Sequence, residues 1–178
     1  QANLKIAQIH EKQEQWESAL LAYHKVLLNT IHNYKDNSIW NNPNKILAQG
    51  VYGKLELLTA LQGKTRVYFA LHRTKPNLNM LGKAQITSRL AIQLIDSIRS
   101  GLFLDTDRLF QTDQHYAVYE QAIEIAQELR RFAPEKEKEL QGDIFRLIEK
   151  SKGLLLQAVF NRGMSENWND PKLAQIQE

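Results

Sequence analysis

Five histidines are the side chains of this 178-residue chain best suited to acid–base or metal chemistry, and they are dispersed. They are His10, His24, His32, His72 and His115. No two of them have the His-Glu-x-x-His spacing that places two imidazoles on one helix face with a base between them. The chain has no cysteine, which excludes thiolate metal sites, cysteine nucleophiles and disulfides. The sequence therefore predicts no catalytic centre, no metal site and no cofactor.

A run of aspartates superficially resembles a calcium-binding loop. Asp105, Asp107 and Asp113 have part of the required spacing, but the central glycine is missing and Leu-Phe-Gln stands where oxygen ligands belong. Helix capping by Asp105 or Thr106 is the better interpretation.

Three glycines interrupt an otherwise helical rhythm. Gly50 and Gly53 are not followed by the Lys-Ser or Lys-Thr pair of a phosphate-binding loop, so no nucleotide site is predicted. Each glycine, like Gly63, costs about 1 kcal/mol relative to alanine within a helix. They either permit close packing or mark a kink.

Charge is unevenly distributed, although the net charge is only +3. Six basic residues occur between Leu57 and Ile95 with no Asp or Glu, whereas the stretch from Asp105 to Asp143 is predominantly acidic. The six are Lys64, Arg66, Arg73, Lys75, Lys83 and Arg89. Such a face could steer an acidic partner or contact phosphates, or simply be solvated. The absence of an RNA-binding signature makes nucleic-acid binding the less favoured alternative.

The aromatic residues fall into two groups. Trp16, Tyr23, Tyr116, Tyr119 and Phe145 occupy core-like positions of helical stripes. Trp40 and Trp168 stand in Asn-rich loops, where a tryptophan either covers a helix end or anchors a partner. Covering is the favoured interpretation.

Apolar periodicity predicts helices throughout, arranged as pairs. The first pair spans residues 1–36, and a loop follows at Lys35 to Asn44. A long helix then begins at Lys45, a break comes at Thr74 to Asn79, and the second pair, 44–101, ends at Gly101. The third pair, 105–163, turns near Pro134 and ends near Gly163, and residues 170–178 begin a further helix.

The first pair resembles a tetratricopeptide repeat. The residues that carry this resemblance are Ile6, Ala7, His10, Trp16, Ala19, Tyr23 and Val26. The resemblance implies an all-α, right-handed array of antiparallel helix pairs, an α-solenoid of about six to seven helices in which the second and third pairs are degenerate repeats. It also implies that a protein or peptide binds in a groove.

Candidate contact residues follow from this resemblance and from the basic and aromatic features. By analogy with tetratricopeptide repeats, side chains on the first helix of a pair line the groove. The candidates are Lys5, Gln8, Lys12, Trp40, Lys64, Arg66 and Arg73.

The second half resembles the helical region that precedes the caspase-like domain of CHAT proteins. Tyr119, Glu120, Ala122 and Ile123 match a Tyr-Glu-x-Ala-Ile segment. A helix with a Phe, a Glu-x-Ser-Lys motif and a leucine run follows, here Phe145, Glu149, Ser151, Lys152 and Leu154 to Leu156. The segment Ala91 to Gly101 is similar to the preceding helix of that family. The resemblance implies a non-enzymatic recognition segment, because the catalytic His and Cys of the family belong to the domain after it.

The remaining expectations concern the whole chain. No apolar run approaches the roughly 20 residues of a spanning helix, so we expect a soluble chain without a membrane partner, and a cytoplasmic location is permitted. Both ends lie within helical patterns, which suggests a piece of a longer protein.

Overall fold

The computed structural model describes residues 1–46, 50–100 and 105–168, with side chains for 1–46, 50–98 and 115–153. It confirms the all-α fold class, with six α-helices in the described ranges. They are α1 (Ala2–Lys12), α2 (Trp16–Thr30), α3 (Lys54–Thr74), α4 (Leu78–Ser100), α5 (Asp105–Phe132) and α6 (Glu137–Trp168). A short 3₁₀ helix, Pro134–Lys136, separates α5 from α6.

Two small residues lie where α1 and α2 pack against each other. Ala7 of α1 and Ala19 of α2 are fully buried, so the two helices approach closely where neither side chain extends past Cβ. The turn between them includes Glu14 at φ 57°, and the main-chain N–H of Gln15 donates to the carbonyl of His10. His10 itself is half-buried, and its Nδ1 lies 2.6 Å from Gln15 Oε1.

The prediction that the third helix begins at Lys45 is wrong, since α3 begins at Lys54. Gly53 adopts φ 68°, in the left-handed region that favours glycine, and caps the helix. Just before it, the backbone forms an isolated antiparallel bridge between Ile31 and Val51. Gly50 and Gly53 therefore belong to the connection and not to a helix interior.

The other helix boundaries lie close to their predicted positions, except at the end of α6. The break between α3 and α4 falls at 75–77, and α5 ends two residues before Pro134. The last helix continues to Trp168 instead of ending near Gly163. Gly101 and the predicted helix 170–178 lie outside the described residues, as do the side chains of Asp105, Thr106 and Trp168.

Contacts between side chains show how the helices are directed. Tyr23 of α2 packs against Gly63 of α3, while Thr30 packs beside Gly53, so α2 and α3 are antiparallel. On α4 and α6, Arg89 pairs with Asp143. About two turns further along each helix, Asp96 pairs with Lys150 at 2.6 Å, so α4 and α6 are parallel.

The helices thus alternate between two layers. Each helix packs on the next in sequence, and α1 also contacts α3. The turns at 13–15, 75–77 and 133–136 are short, and each joins two helices that pack on each other, so each of these helix pairs is antiparallel. Together with the directions of α2 against α3 and of α4 against α6, this gives α1, α3 and α5 one direction. Ion pairs join these three helices in one layer, while α4 and α6 lie side by side in the other. The right-handed sense of a superhelix stays a prediction.

One hydrophobic core runs between the layers, from Ala7 to Leu140. Tyr23, Tyr68 and Tyr119 are fully buried in it, and burial of a large apolar side chain contributes about 1.5–3 kcal/mol. Trp16 and Tyr116 are half-buried. The prediction that Phe145 belongs to the core is wrong, because it is 64% exposed. It lies about 140° around α6 from the buried Leu140.

Candidate binding groove

A groove runs across the odd-numbered layer. One cavity of about 590 Å³ lies between the α1/α2 pair and α3, and a second of about 640 Å³ lies between α3 and α5. Arg66 and Ala70 of α3 line both cavities, so the two adjoin on the α3 surface. The walls are Gln8, Glu11, Lys12, Trp16, Gln62, Arg66, Phe69, Ala70, Arg73, Ala117, Glu120, Gln121 and Glu124.

An ion pair ties α1 to α3 in this groove. Arg66 Nε donates to Glu11 Oε1 at 2.5 Å, and Arg66 Nη2 donates to Oε2 at 2.9 Å. The hydroxyl of Tyr23 donates to the same Oε2 at 2.6 Å. Burial, and then the bond to Glu11, raise the pKa of Tyr23, while the bond to Glu11 raises the pKa of Arg66. Arg66 thereby remains a fixed cation, 44% exposed, with its planar fork already occupied by a carboxylate.

A second ion pair ties α3 to α5. Arg73 donates to Glu124, and its guanidinium lies 4.6 Å from the centre of the Phe69 ring. This cation–π contact holds the arginine against the buried ring and leaves its outer side in solvent. The two arginines therefore link neighbouring helices and also line the groove.

The groove also contains small and amide side chains. Ala70 and Ala117 leave room between the ion pairs, because they end at Cβ. Gln8, Gln62 and Gln121, one from each odd-numbered helix, make no side-chain hydrogen bond within the described part of the chain. Each carboxamide therefore offers both donors and an acceptor to a ligand.

Four predicted contact residues are brought together here. Gln8 and Lys12 of α1, and Arg66 and Arg73 of α3, all line the groove. Lys5 is exposed one turn before Gln8 and lies outside the walls.

Lys64 does not reach the groove, because its side chain is fully buried on the opposite side of α3. Its Nζ donates to the carbonyl of Asn41 at 2.7 Å and lies 3.2 Å from His24 Nδ1. Burial, and then the nearby charge of Lys83, lower the pKa of Lys64 to about 7. The Nε2 of His24 is 2.5 Å from the carbonyl of Asp36, which leaves Nδ1 as the acceptor for the amine.

Trp40 covers the core instead of projecting from it. It is half-buried, and its ring centre lies 6.4 Å from that of Tyr68. Lys83 Nζ donates to its carbonyl at 2.9 Å, and Asn42 Nδ2 donates to Thr87 Oγ1 at 2.7 Å. These contacts hold residues 40–42, in the connection between α2 and α3, against α3 and α4 and away from the groove.

A smaller cleft of about 330 Å³ lies on the other layer, between α4 and α6. Ile92, Ala122 and Leu147 form its apolar floor. The Arg89–Asp143 and Asp96–Lys150 ion pairs cross it, so its charged groups neutralise one another.

No protein-family profile, curated protein or solved structure matches the chain. None of the helices in the described ranges is both long and apolar enough to cross a membrane. Among the described side chains, no three His, Asp or Glu residues are grouped so that they could hold a metal ion.

The α5 wall of the groove was not predicted from sequence. Glu120, Gln121 and Glu124 line it together with Ala117. A signal was present, because these positions recur at three- and four-residue spacing between the buried Val118, Tyr119, Ala122 and Ile125. That spacing indicates an outward face, but not that α3 lies beside it.

Proposed function

We propose that this chain is a non-enzymatic protein-interaction scaffold that holds an extended segment of a partner protein in the groove of α1, α3 and α5. The observation that carries the proposal is that the two cavities adjoin and share Arg66 and Ala70 as lining residues. Each helix pair supplies its first helix to the wall, as the tetratricopeptide resemblance implies. A trough open along its length fits a linear ligand better than a compact metabolite.

The side chains of the groove favour binding over catalysis. Its arginines are held by carboxylates, and its walls carry no histidine in the part of the chain described. A general acid or base of shifted pKa is what an enzyme site would be expected to provide there.

The pairing of the basic residues also favours a protein ligand over nucleic acid. Arg66, Arg73 and Arg89 are each paired with a carboxylate, and Lys64 is buried. Carboxylates in the groove would repel phosphates, whereas phosphate contacts from free Lys and Arg dominate nucleic-acid affinity. A basic nucleic-acid-binding module is the alternative.

The proposal extends to the biological setting through the CHAT resemblance. In that setting the chain would be the recognition or regulatory segment beside a caspase-like peptidase domain, in the cytoplasm. The support is the order of Tyr119, Glu120, Phe145, Glu149 and Ser151 in the sequence. Sequencing of the parent coding region tests it: a caspase-like domain with a His and a Cys is expected after this segment, and another type of domain there would overturn it.

A peptide selection tests the groove. Random 12-residue peptides displayed on phage are selected on the wild-type chain, and the recovered peptides are synthesised and titrated. Ala70→Trp fills the point shared by both cavities, so we expect it to weaken binding at least tenfold. Asn29→Trp adds the same ring at an exposed site on α2 that lies outside the groove walls, and should leave affinity unchanged.

Two results would contradict the proposal. One is recovery of peptides that bind wild type and Ala70→Trp equally. The other is salt-sensitive retention of single-stranded oligonucleotides that Ala70→Trp abolishes, which would favour the nucleic-acid alternative.

A further inference from the structure

The groove has a charge polarity that its ion pairs do not cancel. Lys12 on the α1 side and Glu120 on the α5 side both line it, both are exposed, and neither has an ion-pair partner among the described residues. Arg66 and Arg73 between them are neutralised by Glu11 and Glu124. One wall therefore carries a free positive charge and the opposite wall a free negative charge.

The two free charges lie at the same height of the groove. Glu11 pairs with Arg66, so Lys12, one residue further, is level with Val67. Glu124 pairs with Arg73, so Glu120, four residues earlier, is level with Phe69. Since α1, α3 and α5 run in the same direction, a two-residue difference on α3 separates these charges by only about 3 Å along the helix axes.

A ligand that reaches both charges must cross the helices. Packed helices lie about 8–10 Å apart, so α1 and α5, on either side of α3, are separated by at least about 16–20 Å. An extended chain rises about 3.3 Å per residue and covers that distance in about five or six residues. Ala70, at the centre of the crossing, leaves space for a main chain to pass.

The glutamines supply contacts along such a path. Gln8, Gln62 and Gln121 come from the three helices in turn, and their carboxamides are free within the described part of the chain. A carboxamide can donate to a peptide carbonyl and accept from a peptide N–H. Three of them would bind main chain without selecting side chains, which leaves selectivity to the charged ends.

We propose that the groove selects an extended peptide of about six residues that crosses α1, α3 and α5, with an acidic side chain at Lys12 and a basic side chain at Glu120. The proposal rests on the proposed function, since it specifies the ligand of that groove. The groove would recognise the order of the charges along the peptide and not the peptide's net charge. An exposed pair contributes little alone, so the two ends act as a selector on affinity supplied by the groove.

The phage-selected peptides that Ala70→Trp excludes provide the probe. We expect them to be enriched in an acidic and a basic residue about five or six positions apart, in one fixed order. Lys12→Glu and Glu120→Lys should each weaken binding of a selected peptide about fivefold at low salt, and less at high salt. The double variant should prefer the same peptide with its acidic and basic residues exchanged.

A matched control makes the same charge changes away from the groove. Lys25→Glu combined with Glu135→Lys alters two exposed residues that lie outside the groove walls, and should not change affinity. Circular dichroism melting confirms that every variant is folded.

The two proposals fail in different ways. Peptides that are blocked by Ala70→Trp yet show no charge order, and whose affinity survives both reversals, would overturn the polarity and leave the scaffold intact. If no recovered peptide is blocked by Ala70→Trp, the groove itself is not the binding site.

Discussion

Lys64 has an environment that its residue type does not suggest. In the sequence it belongs to a basic stretch, but its side chain is fully buried between α2, α3 and the 35–44 connection. It faces His24, Lys83 and the carbonyl of Asn41, with the Tyr68 ring centre 5.8 Å from Nζ. The amine is thus a tether for the connection between α2 and α3.

The depressed pKa of Lys64 makes the free energy of unfolding increase with pH above about 7. Its pKa is about 7 in the folded chain and about 10.4 when unfolded, so between these values the unfolded state binds more protons. The free energy of unfolding should therefore rise with pH from about 7 to 9, by about 1 kcal/mol per unit. Lys64→Met should remove that slope, whereas Lys25→Met, at an exposed site, should keep it. Urea denaturation at half-unit pH intervals measures both.

Other groups bound the pH range of this test. Burial lowers the pKa of His24, so the folded state resists its protonation and stability should also fall below pH 6.5. Burial raises the pKa of Tyr23, Tyr34 and Tyr68, so the folded state resists their ionisation and stability should fall above pH 10. A slope between pH 7 and 9 that is equal in wild type and Lys64→Met would show that Lys64 is not its cause.

At the scale of helices, the close approach of α2 and α3 depends on Gly63. A Cβ built on Gly63 would overlap the Tyr23 ring, so the alternative of close packing, and not a kink, explains this glycine. Gly82 of α4 offers a matched control, because a Cβ there meets no atom within 4 Å.

Replacing each of the two glycines with alanine should change the free energy of unfolding in opposite directions. Gly63→Ala must displace the Tyr23 ring from the bond it donates to Glu11, and we expect it to lower the free energy of unfolding by about 1–3 kcal/mol. Gly82→Ala should raise it by about 0.5–1 kcal/mol through helix propensity alone. Thermal and urea unfolding of the two variants decide the matter, and a neutral or stabilising Gly63→Ala would refute the packing role.

The helices themselves were predictable, and the connection between α2 and α3 was only partly so. The break at Thr74 to Asn79 and the turn near Pro134 were predicted close to where the structure has them, since proline and asparagine mark breaks locally. Apolar periodicity extended α3 back to Lys45, because Ile46 and Val51 continue its rhythm, although neither residue is helical and both are only half-buried. The bridge from Ile31 to Val51 competes with that helix, and local propensity does not report it.

At the scale of the molecule, the groove was predicted only in part, because local sequence patterns do not report contacts between distant residues. The α1 side followed from a family resemblance, and Arg66 and Arg73 from a run of basic residues. What makes them one site is the register of α1 against α3 and of α3 against α5, set by contacts across 55 and 51 residues. Glu120 and Gln121 gain their place from that register, which no local pattern contains.

The layered arrangement predicts that stability is transmitted mainly between neighbouring helices. Because the main helix contacts of α1 are with α2 and α3, its loss should spread little beyond them. Glu11→Ala removes the acceptor of Tyr23 and of both Arg66 bonds, and we expect about tenfold faster amide hydrogen exchange in α1. Exchange in α4 should be almost unchanged.

Mass-spectrometric hydrogen exchange on the full chain measures this, with Glu124→Ala as the control. Glu124 pairs with Arg73 in an exposed bridge, so its removal should accelerate exchange only slightly anywhere. Equal acceleration of α1 and α4 by Glu11→Ala would mean that the six helices open as one cooperative unit. In that case the α1 wall of the groove could not open independently to admit a ligand. Confinement of the effect to α1 would instead make this helix the adjustable wall, against which α3 and α5 act as the fixed one.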